Sequence, residues 1–340
     1  MQESPSDLEP RRDAAATAER PRGRVPEWAK LLLRAVAAAV LVAFLARKLD
    51  WPVFLDLLAK CDWNWWTCGC VIALLSHTVA AIRWAALARP IGFPQSLGTF
   101  IWRFFEGQFF SLCLPGSIGG DVVKAYRLAD TTSGRLLAGC TVVADRLTGV
   151  AALGVLAGTA VASREMALGL PATLGVGAAL LAVVMGLFRL GVGSMDLVLS
   201  LIPEEHAARR FLSRLLPYQM QPGLILRAIG WSFVVQIGGA IAVACIGRAL
   251  GVVLPLAAWF AVVPLVALAM AVPISISGAG VREGLLVLLL APYGVQTDAG
   301  VAVGLLWFLA TIVTGLVGGA LFMLEPRPAA APTPELPANT

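Results

Sequence analysis

Charge is what this chain has least of: 14% of its 340 residues are Asp, Glu, Lys or Arg, against 58% hydrophobic, and the mean hydropathy is +0.81. A polypeptide this poor in charge cannot clothe a core in a water-facing surface, which excludes the soluble enzymes and binding modules as a class. Histidine is nearly missing as well. With only His77 and His206, a His-based metal centre or a nucleophile-His relay lacks raw material. Six cysteines, at 61, 68, 70, 113, 140 and 245, lie in or beside apolar runs, and Cys68 and Cys70 lack the two-residue spacer of a redox or zinc motif. They read as small core residues. No Gly-x-x-x-x-Gly-Lys-(Ser/Thr) loop is present, so ATP hydrolysis is not expected, and neither a metal nor any other cofactor is implied. The formal charge of +5 sits in short loops and an amino-terminal arm rather than on one folded face. That excludes nucleic acid as a partner and marks orientation in a membrane instead.

What the chain has in abundance is apolar length. Stretches near the roughly 20 residues that cross a bilayer recur from Leu31 to Leu324, with no comparably long polar segment between them. The fold class is therefore an all-α polytopic membrane protein, multi-pass in the cell (inner) membrane. Residues 1–29, rich in Pro, Ala and Arg and without the apolar core of a signal peptide, read as a disordered cytoplasmic arm, and 326–340 as a disordered tail. Between them lies one membrane domain, 30–325. Its expected elements begin with a span at Leu31–Ala46, an interfacial segment rich in tryptophan at Trp51–Trp66, and a span at Thr67–Leu87. An apolar arm at Leu97–Leu114, a Pro/Gly break, a polar short helix at Asp121–Asp130 and a span at Leu136–Ala162 complete a first repeat of about 65–162. A connecting span at Pro171–Leu190 and an amphipathic surface helix from Ser194 to Gly223 follow. The second repeat, 224–324, holds a span at Leu224–Leu250, an arm at Leu254–Val272, a second break, a short helix at Val281–Leu290 and a span at Ala299–Leu324.

The repeat is written in the residues. PGSIGGDVVK from Pro115 to Lys124 and PISISGAGVR from Pro273 to Arg282 lie 158 positions apart (273 − 115). Pro115 matches Pro273, Ser117 matches Ser275, Ile118 matches Ile276, Gly120 matches Gly278, Val123 matches Val281, and Lys124 is answered by Arg282. Matching breaks in two halves of a membrane protein point to a translocation site built from discontinuous helices, although Pro and Gly are common in such helices for other reasons. Arg11, Arg12, Arg20, Arg22, Arg24 and Lys30 place the amino-terminal arm inside. The first arm-break-helix unit then opens inward beside Arg89, Arg127 and Arg135, and the second opens outward with Arg248 near its mouth. The expected architecture is an inverted repeat with two re-entrant hairpins among six full spans. It rises to eight if the arms cross fully, since Leu97–Leu114 would be about 27 Å long as a helix.

A break in lipid leaves backbone groups without helical partners, so it must be interior to the protein. The short helix after each break turns free N-H groups and a positive dipole end toward it, an arrangement that suits phosphate. Gly119, Gly120, Gly278 and Gly280 permit close backbone approach, Ser117 and Ser275 add hydroxyls, and Lys124 and Arg282 add full charge one turn further in. Asp121, Asp145, Arg146 and Glu283, with Arg83, Arg103 and Glu106, are further ionisable residues in or near apolar spans, where each costs about 2.5 to 3.5 kcal/mol at mid-span. Their near-balance of sign suggests pairing. The bland alternatives are that Arg83 and Arg103 snorkel to the interface, that Asp145 and Arg146 cap a helix start, and that His77 and Gln236 satisfy local hydrogen bonds.

The runs LPGSIGGDVVKAYRL (Leu114–Leu128), VVADRLTGV around Ala144–Arg146, and PISISGAGVREG (Pro273–Gly284) resemble the signature blocks of the lysylphosphatidylglycerol synthase transmembrane family, over about Leu31–Leu324. That family is the flippase-like membrane portion of multiple-peptide-resistance proteins. The resemblance implies a lipid translocator with Asp121, Lys124, Asp145, Arg146, Arg282 and Glu283 as polar lining. Asp145 departs from the glutamate common there. No aminoacyl-transfer domain is recognised in this sequence, so it is not expected to charge a lipid itself.

The expected function is thus a flippase for a phospholipid or other lipid-linked anionic headgroup, with membrane lipids as partners and a homodimer or a lipid-synthesis enzyme as further ones. Gly315, Gly318 and Gly319 would permit the close helix contact of a dimer. A membrane-embedded lipid-modifying transferase using Asp121, Asp145 or Glu283 as acid or base, and an accessory or scaffold subunit, are the competing readings.

Overall fold

The structure, a computed structural model, describes residues 51–113, 119–165, 168–204, 206, 209, 212–213, 218, 221–271, 278 and 280–324. The amino-terminal arm, the Leu31–Ala46 span, the tail, and Pro115, Ser117, Ile118, Pro273, Ser275 and Ile276 of the two breaks lie outside the described residues. Every regular element described is helical. In chain order they are α1 Trp51–Ala59, α2 Trp63–Ala88, α3 Leu97–Cys113, α4 Gly119–Leu128, α5 Thr132–Glu165, α6 Leu170–Gly193, α7 Met195–Ser200, α8 Pro222–Ala249, α9 Leu256–Ala271, α10 Val281–Leu290 and α11 Thr297–Leu324. Among the described residues, five helices are long and apolar enough to cross a membrane, namely those at Trp63–Ile91, Thr132–Ser163, Leu170–Leu190, Gly223–Ala249 and Thr297–Leu324.

Local chemistry sets the boundaries. Asp62 caps α2 by accepting the Asn64 N-H at 3.0 Å, so the helix starts at Trp63 and takes in tryptophans that the sequence assigned to an interfacial segment. At its other end Pro90 tightens the chain into a single 3₁₀ turn closed by Gly92 at φ 106. The turn after α10 repeats this device with Pro292 and Gly294 at φ 78. The amphipathic helix expected over Ser194–Gly223 is not continuous: α7 ends at Ser200, and Leu201 to Glu204 are turn and coil.

The centre of the molecule is the antiparallel pair α2 and α8. The Asp62 N-H donates to the Ala249 carbonyl at 2.8 Å at one end, and the Tyr218 hydroxyl donates to the Leu87 carbonyl at 2.7 Å at the other. Between them Gly69 faces the Ala242 carbonyl and Gly238 faces Ser76, where a Cβ would intrude on the opposite helix. Around this pair the packing of one half is answered in the other. Helix α3 lies on α11 and α9 lies on α5; α4 packs on α3 and α5, and α10 on α9 and α11. Two apolar cores result. One surrounds Trp84, Phe100, Leu137 and Ile225, where α2 ends and α8 begins; the other surrounds Trp259, Ile246, Leu286 and Val303, at the opposite end of the pair.

The matched motifs do not occupy the same place in their helices. Gly120 is helical, inside α4, whereas Gly278 forms a left-handed turn at φ 75 ahead of α10. Gly315, Gly318 and Gly319 make their close contacts inside the chain, against Leu112, the Phe105 carbonyl and Phe109 of α3.

Candidate functional site

Helices α4 and α5 leave a cavity of about 610 Å³ between them, reached by Ala271 at the end of α9. Its walls are apolar side chains open to the outside, among them Val122, Leu136, Val143, Leu147 and Val150, all between 42% and 61% exposed. Its charged lining comes from Arg135, Arg146 and Asp121. Arg135 is fixed at one end by the Tyr126 ring, 3.7 Å from its guanidinium carbon, and by donating from Nε to the Ala129 carbonyl at 3.1 Å.

Asp121 ties the site together. It lies in the first turn of α4, where the helix dipole favours a carboxylate. Its Oδ1 accepts from Lys124 Nζ at 3.2 Å, and its Oδ2 accepts from Arg146 Nε, which reaches across from α5. The ammonium of Lys124 also stands 4.1 Å from the centre of the Phe104 ring. The formal sum of Lys124, Arg146 and Asp121 is +1 (two cations less one anion). Asp121 and Lys124 are buried, while the Arg146 side chain is 45% exposed toward the cavity. Such close seating depends on glycine. A Cβ on Gly120 would overlap the Gly107 carbonyl and Ser111 of α3, and one on Gly107 would lie 2.5 Å from Lys124 Cε.

Asp145 faces the other way. It accepts from Arg83 Nε at 2.7 Å, and Arg83 Nη1 donates to Ser232 Oγ at 2.7 Å, so α2, α5 and α8 meet at one buried polar point. Arg83 is 5% exposed and does not snorkel, and both Asp145 and Arg146 sit near the middle of α5 rather than at a helix start. Those two bland readings are overturned, because an ion pair with a hydroxyl behind it lets the charges stay buried. Ser232 went unnoticed in the sequence, where nothing sets it apart from other serines in apolar helices.

A third point binds α3 to α4. Glu106, fully buried, accepts from Trp102 Nε1 at 3.0 Å and from Arg103 Nη1 at 3.1 and 3.0 Å, with Arg127 Nε 3.6 Å away. Arg103 therefore turns inward too. The i, i+3 spacing of Arg103 and Glu106 was a legible sign of this pair. His77 Nδ1 lies 2.6 Å from the Ala73 carbonyl, a local hydrogen bond. Gln236 Nε2 reaches the Gly149 carbonyl at 3.5 Å.

In the second half the short helix is closed on itself. Gly280, at φ 79, is the N-cap of α10, and its N-H donates to Glu283 Oε2 at 2.6 Å. The other carboxylate oxygen accepts from Arg282 Nε at 3.0 Å and from Nη2, and the Arg282 guanidinium stands 5.0 Å from the Phe308 ring centre. Arg282 is 1% exposed, and neither it nor Glu283 lines the cavity. This corrects the sequence reading of an open anion site at the start of α10: the chain's own carboxylate already takes the Gly280 N-H. Asp121, Lys124 and Arg146 are brought together, Asp145 joins Arg83 beside them, and Arg282 with Glu283 forms a separate pair.

The chain belongs to the family described as the lysylphosphatidylglycerol synthase TM region, which it matches over residues 31–319. A search of the curated proteins found no match.

Proposed function

We propose that this chain is a flippase-like transporter in the cell membrane that moves a phosphate-bearing lipid between leaflets, the headgroup following the α4–α5 cavity while the tails remain in hydrocarbon. The observation that carries the proposal is the cavity itself: apolar walls open to the side, with Arg135 and Arg146 along it and an excess of one positive charge around Asp121. An amphiphile has the same division. Carrying a phosphate through hydrocarbon without a partner costs several kcal/mol per ion, and a guanidinium on the route offsets that cost with charge-assisted hydrogen bonds. When the site is empty, Asp121 supplies the counter-charge that Lys124 and Arg146 share. A headgroup that also carries a cation finds its carboxylate there.

In this proposal the halves are an inverted repeat, supported by the antiparallel run of α2 and α8 and by the exchange of packing partners between halves. Gln95 Nε2 donates to the Leu128 carbonyl at 3.2 Å, drawing the start of α3 to the end of α4, as a re-entrant hairpin requires. Arg89, Arg127, Arg135 and Arg227 cluster toward that end of the molecule, which the positive-inside rule makes cytoplasmic.

The test is reconstitution into liposomes with tail-labelled phosphatidylglycerol in both leaflets, followed by an impermeant quencher. Wild-type protein should expose the inner-leaflet label, and Arg146→Ala or Lys124→Ala should slow that exposure at least tenfold. A new lipid species in the extract would instead support the transferase reading. Neither exchange nor product from the wild-type protein would support the accessory one.

A further inference from the structure

We infer that Gly139 is the size-determining position of the headgroup path, the gap through which a phosphate passes between Arg135 and Arg146; this rests on the transport reading above. Helix α5 runs unbroken from Thr132 to Glu165, so the two arginines are eleven residues apart on one helix. Eleven residues make three turns and about 20° more, which places both on one face, about 16 Å apart along the axis. That is roughly half the hydrocarbon thickness of a bilayer, so the pair suits one cation at the mouth and one at depth.

The cavity wall between them is supplied by Leu136, Gly139, Val142 and Val143. Val142 is turned into the core at 5% exposure, and Val143 is a 58% exposed side wall. Gly139 lies about 40° around the helix from Arg135 and about 20° past Arg146, on the same face as both arginines and between them in height. A Cβ built there meets no heavy atom within 4 Å. The contrast with the packing glycines is direct, since at Gly120 and Gly318 the same atom would overlap a neighbouring backbone carbonyl. No packing constraint demands glycine at 139, and in mid-helix it costs about 0.5 to 1 kcal/mol relative to alanine. What the missing side chain leaves is room between two cations.

The experiment uses full-length protein in liposomes with two tail-labelled probes, phosphatidylglycerol and the bulkier phosphatidylinositol. Gly139 is replaced by Ala, Leu and Phe. Gly154, also on α5, also with nothing within 4 Å of an added Cβ and outside the cavity lining, is replaced by Phe as the control. The rate should fall in the order Ala, Leu, Phe, with phosphatidylinositol lost first and Gly139→Phe slowing phosphatidylglycerol at least tenfold. Gly154→Phe should stay within about twofold of wild type. Thermal unfolding in detergent should show Gly139→Ala no less stable than wild type. A Gly139→Phe protein that moves phosphatidylglycerol within twofold of wild type would overturn the inference, as would equal slowing of both probes by Gly139→Leu. If the wild-type protein moved neither lipid, the transport reading would fall and this inference with it.

Discussion

The seam between α4 and α5 is open, and the seam between α10 and α11, its counterpart in the second half, is shut. In the first, Asp121 sends its carboxylate across to Arg146 of the neighbouring helix, and a cavity of about 610 Å³ remains. In the second, Glu283 turns back to the Gly280 N-H and Arg282 on its own segment, and α11 closes on it through glycines. A Cβ on Gly304 would lie 2.9 Å from Glu283 Cγ, and one on Gly300 would lie 3.2 Å from the Val287 Cα. The arms differ in the same sense. Helix α3 carries Arg103 and Glu106, whereas α9, LAAWFAVVPLVALAMA, has no charge. One frame thus holds an open cavity with charged lining in one half and a buried, self-closed ion pair in the other.

The comparison breaks most directly at the charges. Arg282→Ala would strand Glu283, 5% exposed, without its cation, and stranding a buried partner costs about 3 to 5 kcal/mol. Lys124→Ala leaves Asp121 still paired with Arg146, so its stability cost should be smaller than that of Arg282→Ala while transport slows at least tenfold. Thermal unfolding in detergent beside the liposome assay separates the two. If Arg282→Ala kept its melting temperature and lost only transport, the second half would be part of the path rather than its brace.

Packing gives the next largest effect. Gly304→Leu drives a side chain against the backbone and carboxylate arm of Glu283, and overpacking of this kind costs about 1 to 3 kcal/mol. Added bulk at Gly139, on the open seam, should cost nothing in stability. Equal melting losses at 304 and 139 would erase the distinction between the seams.

Much of this frame was legible beforehand. Helix α10 spans the residues expected, because glycines mark its start and the Pro292–Gly294 turn marks its end. The span expected at Pro171–Leu190 appears as α6, since its one charged residue, Arg189, comes only near its end. The site was less legible. Asp121, Arg146 and Lys124 were singled out for their charge and pairing was expected of such residues, but that Arg146 would pair with Asp121 was not legible, because the two lie 25 residues apart in the chain. Arg83 and Asp145 lie 62 apart, and Arg83 and Ser232 lie 149 apart. Periodicity speaks of neighbours within one helix and is silent on which helices meet. The cavity was invisible for a related reason: Leu136, Val143 and Leu147 carry the same apolar signature whether they face lipid in general or one lipid in a groove. Sequence alignment of the two motifs also concealed their asymmetry, matching Gly120 to Gly278 although one is helical and the other a left-handed turn.

The smallest effect lies where the halves join. The Tyr218 hydroxyl, donating to the Leu87 carbonyl at 2.7 Å, closes the end of the α2–α8 pair nearest the open seam. Burial, with Cys140 and Asp145 nearby, pushes its phenol above the ordinary tyrosine range. A raised value in the folded state means that the neutral form is the one stabilised, so the contribution is whole below the unfolded value of about 10 and is lost as pH rises beyond it. Tyr218→Phe should therefore cost about 1 kcal/mol at neutral pH. The difference between variant and wild type should shrink above about pH 10, where the phenol of the unfolded wild type ionises while the folded one is still held neutral. A constant difference across that range would mean that the hydroxyl contributes by filling space rather than by holding the two halves together.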